Sequence, residues 1–306
     1  MILRKVAAID VGSNAVRLLI TRINRQPDGS IILKKELLLR VPLRMGEDSF
    51  SNGEISENLE HRLIMVMKSF HNLIKVYQVD IYYAYATAAI REAKNNESIL
   101  LNVKQKANID LSIISGAKEA KLIYESHAAD MLEGDKNYLY VDVGGGSTEI
   151  ALIINGTLTD AKSFKVGTIR MINEKGAIKE MEEMLLYLST LKKNFYPAKI
   201  IGSGGNINKL YRLAKTVKKR ILTIKKLQEL YQKLAPLNVE ERMSIYDLNP
   251  DRADVIVPAC EIFLAIAGVT GITEIFVPNI RLVDGIVRSI IQEVKGNEQV
   301  KSLQIH

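Results

Sequence analysis

Two aspartates stand at the ends of hydrophobic runs, and each is followed by a turn of small residues. Ala8-Ile9-Asp10-Val11-Gly12 runs into Gly12-Ser13-Asn14, and Tyr140-Val141-Asp142-Val143-Gly144 runs into Gly144-Gly145-Gly146-Ser147. Three successive glycines carry no side chain, so their backbone can approach a ligand closely and turn several N–H groups into one anion-binding concavity. Ser147 and Thr148 add hydroxyl donors, and Ser13 and Asn14 offer the same chemistry on a smaller scale. A third candidate is Gly202-Ser203-Gly204-Gly205-Asn206, which leaves a strand and enters a helix, where amides and the helix dipole favour negative charge. Asp10, Asp142 and Glu149 lie beside these turns. Hard carboxylate oxygens next to bound phosphate are what Mg²⁺ uses, often through water. The plainer role for each aspartate alone is to cap its own turn by side-chain hydrogen bonds. Neither Gly-x-x-x-x-Gly-Lys-Ser/Thr nor Gly-x-Gly-x-x-Gly is completed, which argues against a P-loop enzyme or a dinucleotide-binding dehydrogenase.

The elements around these residues alternate between strand and helix, the pattern of an α/β protein. Residues 5–11, 15–23 and 31–39 read as an antiparallel meander, with turns at Gly12-Ser13-Asn14 and Pro27-Asp28-Gly29. An amphipathic helix follows over 56–77, with Leu59, Leu63, Val66, Met67, Phe70, Leu73 and Ile74 on one face; this stripe is core. Strands are expected at 81–86 and 111–114, and helices at 88–93, 98–107 and 119–132. Then the pattern restarts: strands at 137–143, 147–154 and 157–166, a helix at 181–194, a strand at 199–201, and mostly helix to the end save a strand at 274–277. The shared strand–turn–strand context of the two Asp-Val-Gly units reads as an internal duplication, one unit per lobe.

With 306 residues the chain suits two lobes and needs no disulfide or metal staple. Cys260 is the single cysteine, so no internal disulfide is possible, and its apolar surroundings read as a small buried hydrophobe. No secretion signal opens the sequence, and the apolar stretch 255–272 contains Pro258 and Glu261, which reads as a buried helix rather than a membrane span; a cytoplasmic protein is expected. The net charge of +7 favours anionic partners. The basic run at 215–226, with Lys218, Lys219, Arg220 and Lys225, reads as a solvated face. The absence of tryptophan and of any aromatic-studded basic strand argues against nucleic acid.

Taken in order, four segments resemble the exopolyphosphatase/guanosine pentaphosphate phosphatase family, within the actin-like, sugar-kinase-like ATPase superfamily. They are Ala8 to Asn14, Ala86-Thr87-Ala88-Ala89-Ile90-Arg91-Glu92-Ala93, Ile114-Ser115-Gly116-Ala117-Lys118-Glu119-Ala120-Lys121-Leu122-Ile123-Tyr124, and Val141 to Glu149. The later glycine turn and Arg252-Ala253-Asp254 extend the resemblance over nearly the whole chain. It implies two ribonuclease-H-like lobes, about 1–123 and 124–306, with an interdomain cleft and with the last helix able to pack back on the first lobe. It implies an exopolyphosphatase that releases terminal orthophosphate from inorganic polyphosphate with Mg²⁺, and a homodimer. By that resemblance Glu119 orients or deprotonates water and Arg91 neutralises substrate charge. Asp142 and Glu149 hold the metal, and Asp10, Gly12, Ser13, Asn14, Gly144, Gly145, Gly146, Ser147, Gly204 and Gly205 form the phosphate site.

The residues alone leave Glu119 free to be a helix-capping carboxylate and Arg91 a surface residue. Lys118, Asp48 and Val283 depart from the family pattern, and a lost phosphate contact is expected at Val283. A guanosine pentaphosphate phosphatase, a nucleotide-dependent kinase and a non-catalytic polyphosphate sensor are the competing functions.

Overall fold

The computed structural model describes residues 4–28, 30–131, 136–173, 177–194, 199–216, 220–278 and 281–303. Gly29 of the expected second turn, Leu132 at the end of an expected helix, and Lys218 and Lys219 of the basic run lie outside the described residues.

The first unit opens with the meander β1 (Arg4–Val11), β2 (Ala15–Arg25) and β3 (Ile31–Pro42). It continues through α1 (Met45–Asn52), α2 (Glu57–Val76), β4 (Ile81–Ala86), α3 (Ala88–Glu92), α4 (Asn96–Ala107) and β5 (Leu111–Ile113). The sheet order is β3-β2-β1-β4-β5. Val6 to Val11 are all buried because β1 is central, with β4 parallel on one side and helices on both faces. Helix α2 begins at Ser56, whose side chain accepts from the Leu59 amide, and it buries Leu59, Leu63, Met67, Phe70 and Ile74 at helical spacing, as expected.

α5 (Gly116–Met131) leads into the second unit, and residue 123 lies inside it. There follow β6 (Tyr138–Val143), β7 (Thr148–Ile154), β8 (Thr157–Phe164), α6 (Thr168–Asn173), α7 (Ala177–Asn194), β9 (Lys199–Ser203) and α8 (Gly205–Leu213). The chain ends with β10 (Ile221–Thr223), α9 (Ile224–Leu234), α10 (Val239–Tyr246), α11 (Pro250–Ala253), α12 (Ile256–Thr270), β11 (Glu274–Phe276) and α13 (Leu282–Leu303). The sheet order is β10-β11-β9-β6-β7-β8.

The duplication extends beyond the turns. β8-β7-β6-β9-β11 repeats β3-β2-β1-β4-β5 in order and in strand direction. Gly12 N–H donates to Ala15 O and Gly144 N–H to Ser147 O, and a register irregularity falls in each unit at the matching place, between Ile20 and Thr21 and between Leu152 and Ile153. Two α/β units of ribonuclease-H-like topology are therefore present, the fold class that the resemblance implied.

Three elements depart from the sequence reading. The sequence reading assigns no element to the stretches of α1 and α6, and β10 interrupts the basic run where helix was expected. All three are short, and the two helices carry no apolar period long enough to register against the following helix. The 119–132 helix starts earlier, at Gly116.

The two sheets share a core: Val6, Ala8 and Leu19 of the first and Tyr138, Tyr140 and Ala151 of the second pack on Leu122 and Ile123 of α5 and on Leu282, Val283, Ile286 and Ile290 of α13. The last helix thus packs on the first sheet. The stretch Pro250–Thr270 is long and apolar enough to cross a membrane by length and composition. In the structure Ile256, Cys260, Phe263 and Ile266 of α12 are fully buried at the centre of the second unit's core.

Candidate active site

Both hairpin turns are held from behind by a short helix. In the second unit the carbonyl of Gly144 accepts from the Thr168 amide at 3.0 Å, and that of Gly145 from the Ile169 amide at 2.9 Å and the Arg170 amide at 3.2 Å. The Gly146 carbonyl accepts from Arg170 Nε at 2.9 Å. All three glycine carbonyls are thereby tied back into α6. Among the described residues the amides of Gly145 and Gly146 have no acceptor, and both residues line the cleft. The first unit repeats the device: Ser13 O accepts from the Gly46 amide at 2.9 Å and Asn14 O from the Arg44 amide at 3.1 Å, at the start of α1. The physical logic is that of a nest: carbonyls satisfied at the back leave donors at the front for an anion.

The turns meet. A methyl built on Gly145 would lie 3.1 Å from Ser13 Cβ. Between the units opens a cleft of about 480 Å³, lined by Asp10, Gly12, Ser13, Asn14, Glu119, Asp142, Gly144, Gly145, Gly146, Ser147, Glu149, Gly204 and Gly205. Every residue that the sequence assigned to phosphate or metal is in that lining, and so is Glu119. Gly204 has φ +95° and a Cβ there would meet Asp142 Oδ1 at 2.5 Å, so the third turn needs glycine both for backbone conformation and for space beside the aspartate.

Arg91 stands apart from the lining. Its Nη1 donates to Ile114 O at 2.9 Å and lies 4.0 Å from Glu119 Oε2. It is placed to hold and charge-balance Glu119. Glu119 itself is in the first turn of α5, yet it does not cap the helix: the Lys118 amide donates to Ser115 Oγ at 3.2 Å instead. Glu119 Oε2 is buried with no hydrogen-bond partner. Burial first, then Glu149, Asp10 and Asp142, push its carboxyl well above the usual range, with Arg91 pulling the other way. A carboxylate whose Oε2 accepts no hydrogen bond, raised in pKa and lining a cleft of backbone donors, is placed to accept a proton.

The register explains how acids and bases separate. Asp142 sits opposite Glu149, whereas at the equivalent place Asp10 sits opposite Arg17. Arg17 Nη1 bonds Asp10 Oδ2 at 2.6 Å. Burial raises Asp10, and Arg17 opposes that shift. Asp142 is pushed up to about 6, chiefly by burial, against a hydrogen bond from Ser203 and the charge of Arg17. Glu149 is pushed up to about 7 by burial and by Asp142, although its Oε1 accepts from Ser147 Oγ at 2.6 Å and Ser163 Oγ at 2.9 Å. Asp10, Glu119, Asp142 and Glu149 therefore line the cleft close enough to disfavour one another's charge, with Arg17 and Arg91 opposing that effect. Hard oxygens gathered in this way fit a divalent cation. Among the described residues no three His, Cys, Asp or Glu side chains cluster tightly enough to cage an ion, so the fit is to one held by few protein oxygens.

Arg17, Arg40, Lys209, Arg212, Arg252 and Arg281 line the same cleft, Arg17 paired there with Asp10. Sequence reasoning assigned a site role to none of these six. Arg252 fell within a matching segment and Arg281 two residues before the departing Val283, but Arg17, Arg40, Lys209 and Arg212 carried no signal beyond being basic. Arg252 donates to Asn206 at 2.6 Å, and burial together with Arg40 and Arg17 lowers its guanidinium pKa. Arg40 pairs with Asp251 and Arg44 with Asp254, joining α11 of the second unit to the first.

The departures lie off the site. Lys118 is exposed, with Nζ 4.7 Å from the Tyr85 ring centre, and Val283 is fully buried in the shared core while Arg281 lines the cleft. Asp48 accepts from the Ser56 amide at 2.9 Å.

Comparison with known proteins matches this architecture. The model of the Ppx/GppA phosphatase family fits residues 25–293. A Haemophilus influenzae protein named "Putative exopolyphosphatase" is 26% identical over 320 residues, which cover 98% of this chain and 94% of that protein. The crystal structure of an Aquifex aeolicus Ppx/GppA family member aligns with a TM-score of 0.76 at 26% identity, over 95% of this chain and 99% of that one. An exopolyphosphatase from Cytophaga hutchinsonii shares the fold, with a TM-score of 0.83 at 22% identity over 95% of this chain and 98% of its own. The family match runs from the end of β2 into α13 and so takes in the glycine turn, Glu119 and most of both units: the chain belongs to the Ppx/GppA phosphatase family.

Proposed function

We propose that this protein is an exopolyphosphatase, releasing terminal orthophosphate from inorganic polyphosphate by attack of water. The observation that carries the reading is what one cleft brings together: glycine amides without an acceptor among the described residues, Glu119 with a buried Oε2 that accepts no hydrogen bond, and six basic side chains. Phosphoryl transfer needs a water-positioning acid, donors on the transferred group and positive charge along the leaving group, in that order.

In this reading the amides of Gly145 and Gly146, with Ser13 and Ser147, bind the terminal phosphoryl oxygens. Glu119, oriented by Arg91, takes a proton from the attacking water; its raised pKa makes it a better acceptor once ionised. Arg17, Arg40, Arg252 and Arg281 bind and neutralise the remaining chain. Asp142 and Glu149 would hold Mg²⁺, which when bound supplies charge neutralisation to the phosphoryl oxygens. Asp142→Asn is expected to raise the Mg²⁺ concentration needed for half-maximal activity about tenfold, from the lost charge on a hard-ligand site. An unchanged metal titration would remove Asp142 from that role.

Linear polyphosphate is favoured over guanosine pentaphosphate because, among the described residues, the cleft lining offers a base no aromatic side chain to stack on. The deciding measurement is orthophosphate release from polyphosphates of several lengths, guanosine pentaphosphate and ATP at saturating Mg²⁺. Preference for polyphosphate supports the proposal, and turnover of the nucleotide alone overturns it.

Arg252 gives a sharper check, because its charge is costly in the free protein. Arg252→Met is expected to leave the ligand-free protein as stable or more so, since an incompletely paired buried charge is removed. The same change is expected to raise KM for polyphosphate at least ~10-fold by removing a charge-assisted contact. Thermal unfolding and steady-state kinetics read the two effects. A lower melting temperature with unchanged KM would make Arg252 a structural residue only.

A further inference from the structure

The mechanism uses the front of the Gly144-Gly145-Gly146 turn; its back is held by a charged side chain that no step above employs. Arg170 of α6 has a side chain only 5% exposed. Its Nε donates to Gly146 O at 2.9 Å and its Nη2 to Glu92 Oε2 at 3.0 Å, while the guanidinium lies 4.0 Å from the Phe50 ring centre. Gly146 belongs to the second unit, whereas Glu92 and Phe50 come from α3 and α1 of the first. Glu92 also follows Arg91, the residue beside Glu119. One guanidinium thus joins the anion-binding turn to the helix that carries the partner of the proposed catalytic acid.

A buried guanidinium on a neutral carbonyl is an expensive way to satisfy that carbonyl. The Gly144 and Gly145 carbonyls are already met by α6 amides, but the Gly146 carbonyl lies beyond their reach and needs a side chain. Released, it could rotate toward the cleft, exchanging an N–H for an oxygen that repels phosphate. Only arginine can bond Gly146 and Glu92 at once through separate nitrogens in a rigid plane; a lysine has one nitrogen.

We propose that Arg170 is a positioning residue for phosphate binding, fixing the polarity of the glycine turn by holding the Gly146 carbonyl away from the substrate. This rests on the reading of the cleft as a phosphate site. The back of the turn borders a cavity of about 430 Å³ lined by Phe50, Glu92, Lys165 and Arg170, so water can solvate Glu92 when the arginine is replaced and the fold survives.

The test uses full-length Glu119→Gln protein, so that tripolyphosphate binds without turnover, and adds Arg170→Lys, Arg170→Gln or Glu92→Gln. Calorimetry gives Kd, and ¹⁵N resonances report the Gly145 and Gly146 amides without ligand. Both Arg170 variants are expected to weaken tripolyphosphate binding about tenfold or more and to move those amide resonances, whereas Glu92→Gln, which keeps the Gly146 bond, stays within about threefold. Recovery of binding by Arg170→Lys overturns the proposal, since charge alone would then suffice. So does a loss in Glu92→Gln as large as in the arginine variants. If the Glu119→Gln parent fails to bind tripolyphosphate, the phosphate reading falls, and the ligand-free amide resonances still decide whether Arg170 holds the turn.

Discussion

Glu119→Gln is expected to abolish most orthophosphate release, by about 10²–10⁴-fold in kcat, while leaving polyphosphate affinity within about threefold. The amide keeps the size and the hydrogen-bonding oxygen of the acid but cannot take a proton. In transition-state terms the loss is roughly 3–5 kcal/mol. The same variant should melt at a higher temperature than wild type in the absence of metal. The Glu119 Oε2 is buried and accepts no hydrogen bond, and Glu149, Asp10 and Asp142 all disfavour its charge. Removing one acid from that cluster relieves the others. Single-turnover kinetics, calorimetry and thermal unfolding measure the three effects. Undiminished turnover would take the proton-accepting role from Glu119, and a lower metal-free melting temperature would contradict the account of crowded acids.

The second large effect is expected from a residue outside the lining. Gly167 precedes α6, and a Cβ there would sit 2.4 Å from Gly145 O and 2.5 Å from the carbonyl carbons of Gly145 and Gly146. These are backbone atoms of the anion-binding turn, so no flexible side chain can swing away. Gly167→Ala must therefore displace the turn itself. We expect a cost of about 1–3 kcal/mol in stability from overpacking. Phosphate release should fall at least ~10²-fold, with both KM and kcat affected, because misplaced donors are missed by ground and transition states alike. Kinetics at a temperature well below unfolding separates the two. Wild-type kinetics in a folded Gly167→Ala protein would show that the turn tolerates displacement and that its geometry is not what binds the substrate.

How far such a site can be read before folding depends on the range of the interactions that make it. The Asp-Val-Gly turns, the strands on either side and the amphipathic α2 were legible because their signals are local: glycine runs, period-two apolar strands and a helical stripe spell themselves out within a few residues. The duplication was legible for the same reason, since it repeats a local pattern, and with the resemblance it located Asp10, Asp142, Glu149, Glu119 and the three glycine turns. By contrast, α1 and α6 are too short to show a period, yet they hold the turn carbonyls, so the physical basis of the nest was out of sight. Arg91 was placed on the substrate by resemblance, and in the fold it stands beside Glu119.

The amino-acid sequence by itself determined that two hairpin turns with bare backbones and adjoining acids would form. Only the tertiary structure decided that they face each other, and that Arg17 of β2, Arg40 of β3, Lys209 and Arg212 of α8, Arg252 of α11 and Arg281 converge on the same cleft. The physical reason is that a charge on a surface-prone side chain carries no local pattern. Which of the chain's 42 lysines and arginines line the cleft is set by the packing of two sheets around α5 and α13, a consequence of contacts hundreds of residues apart.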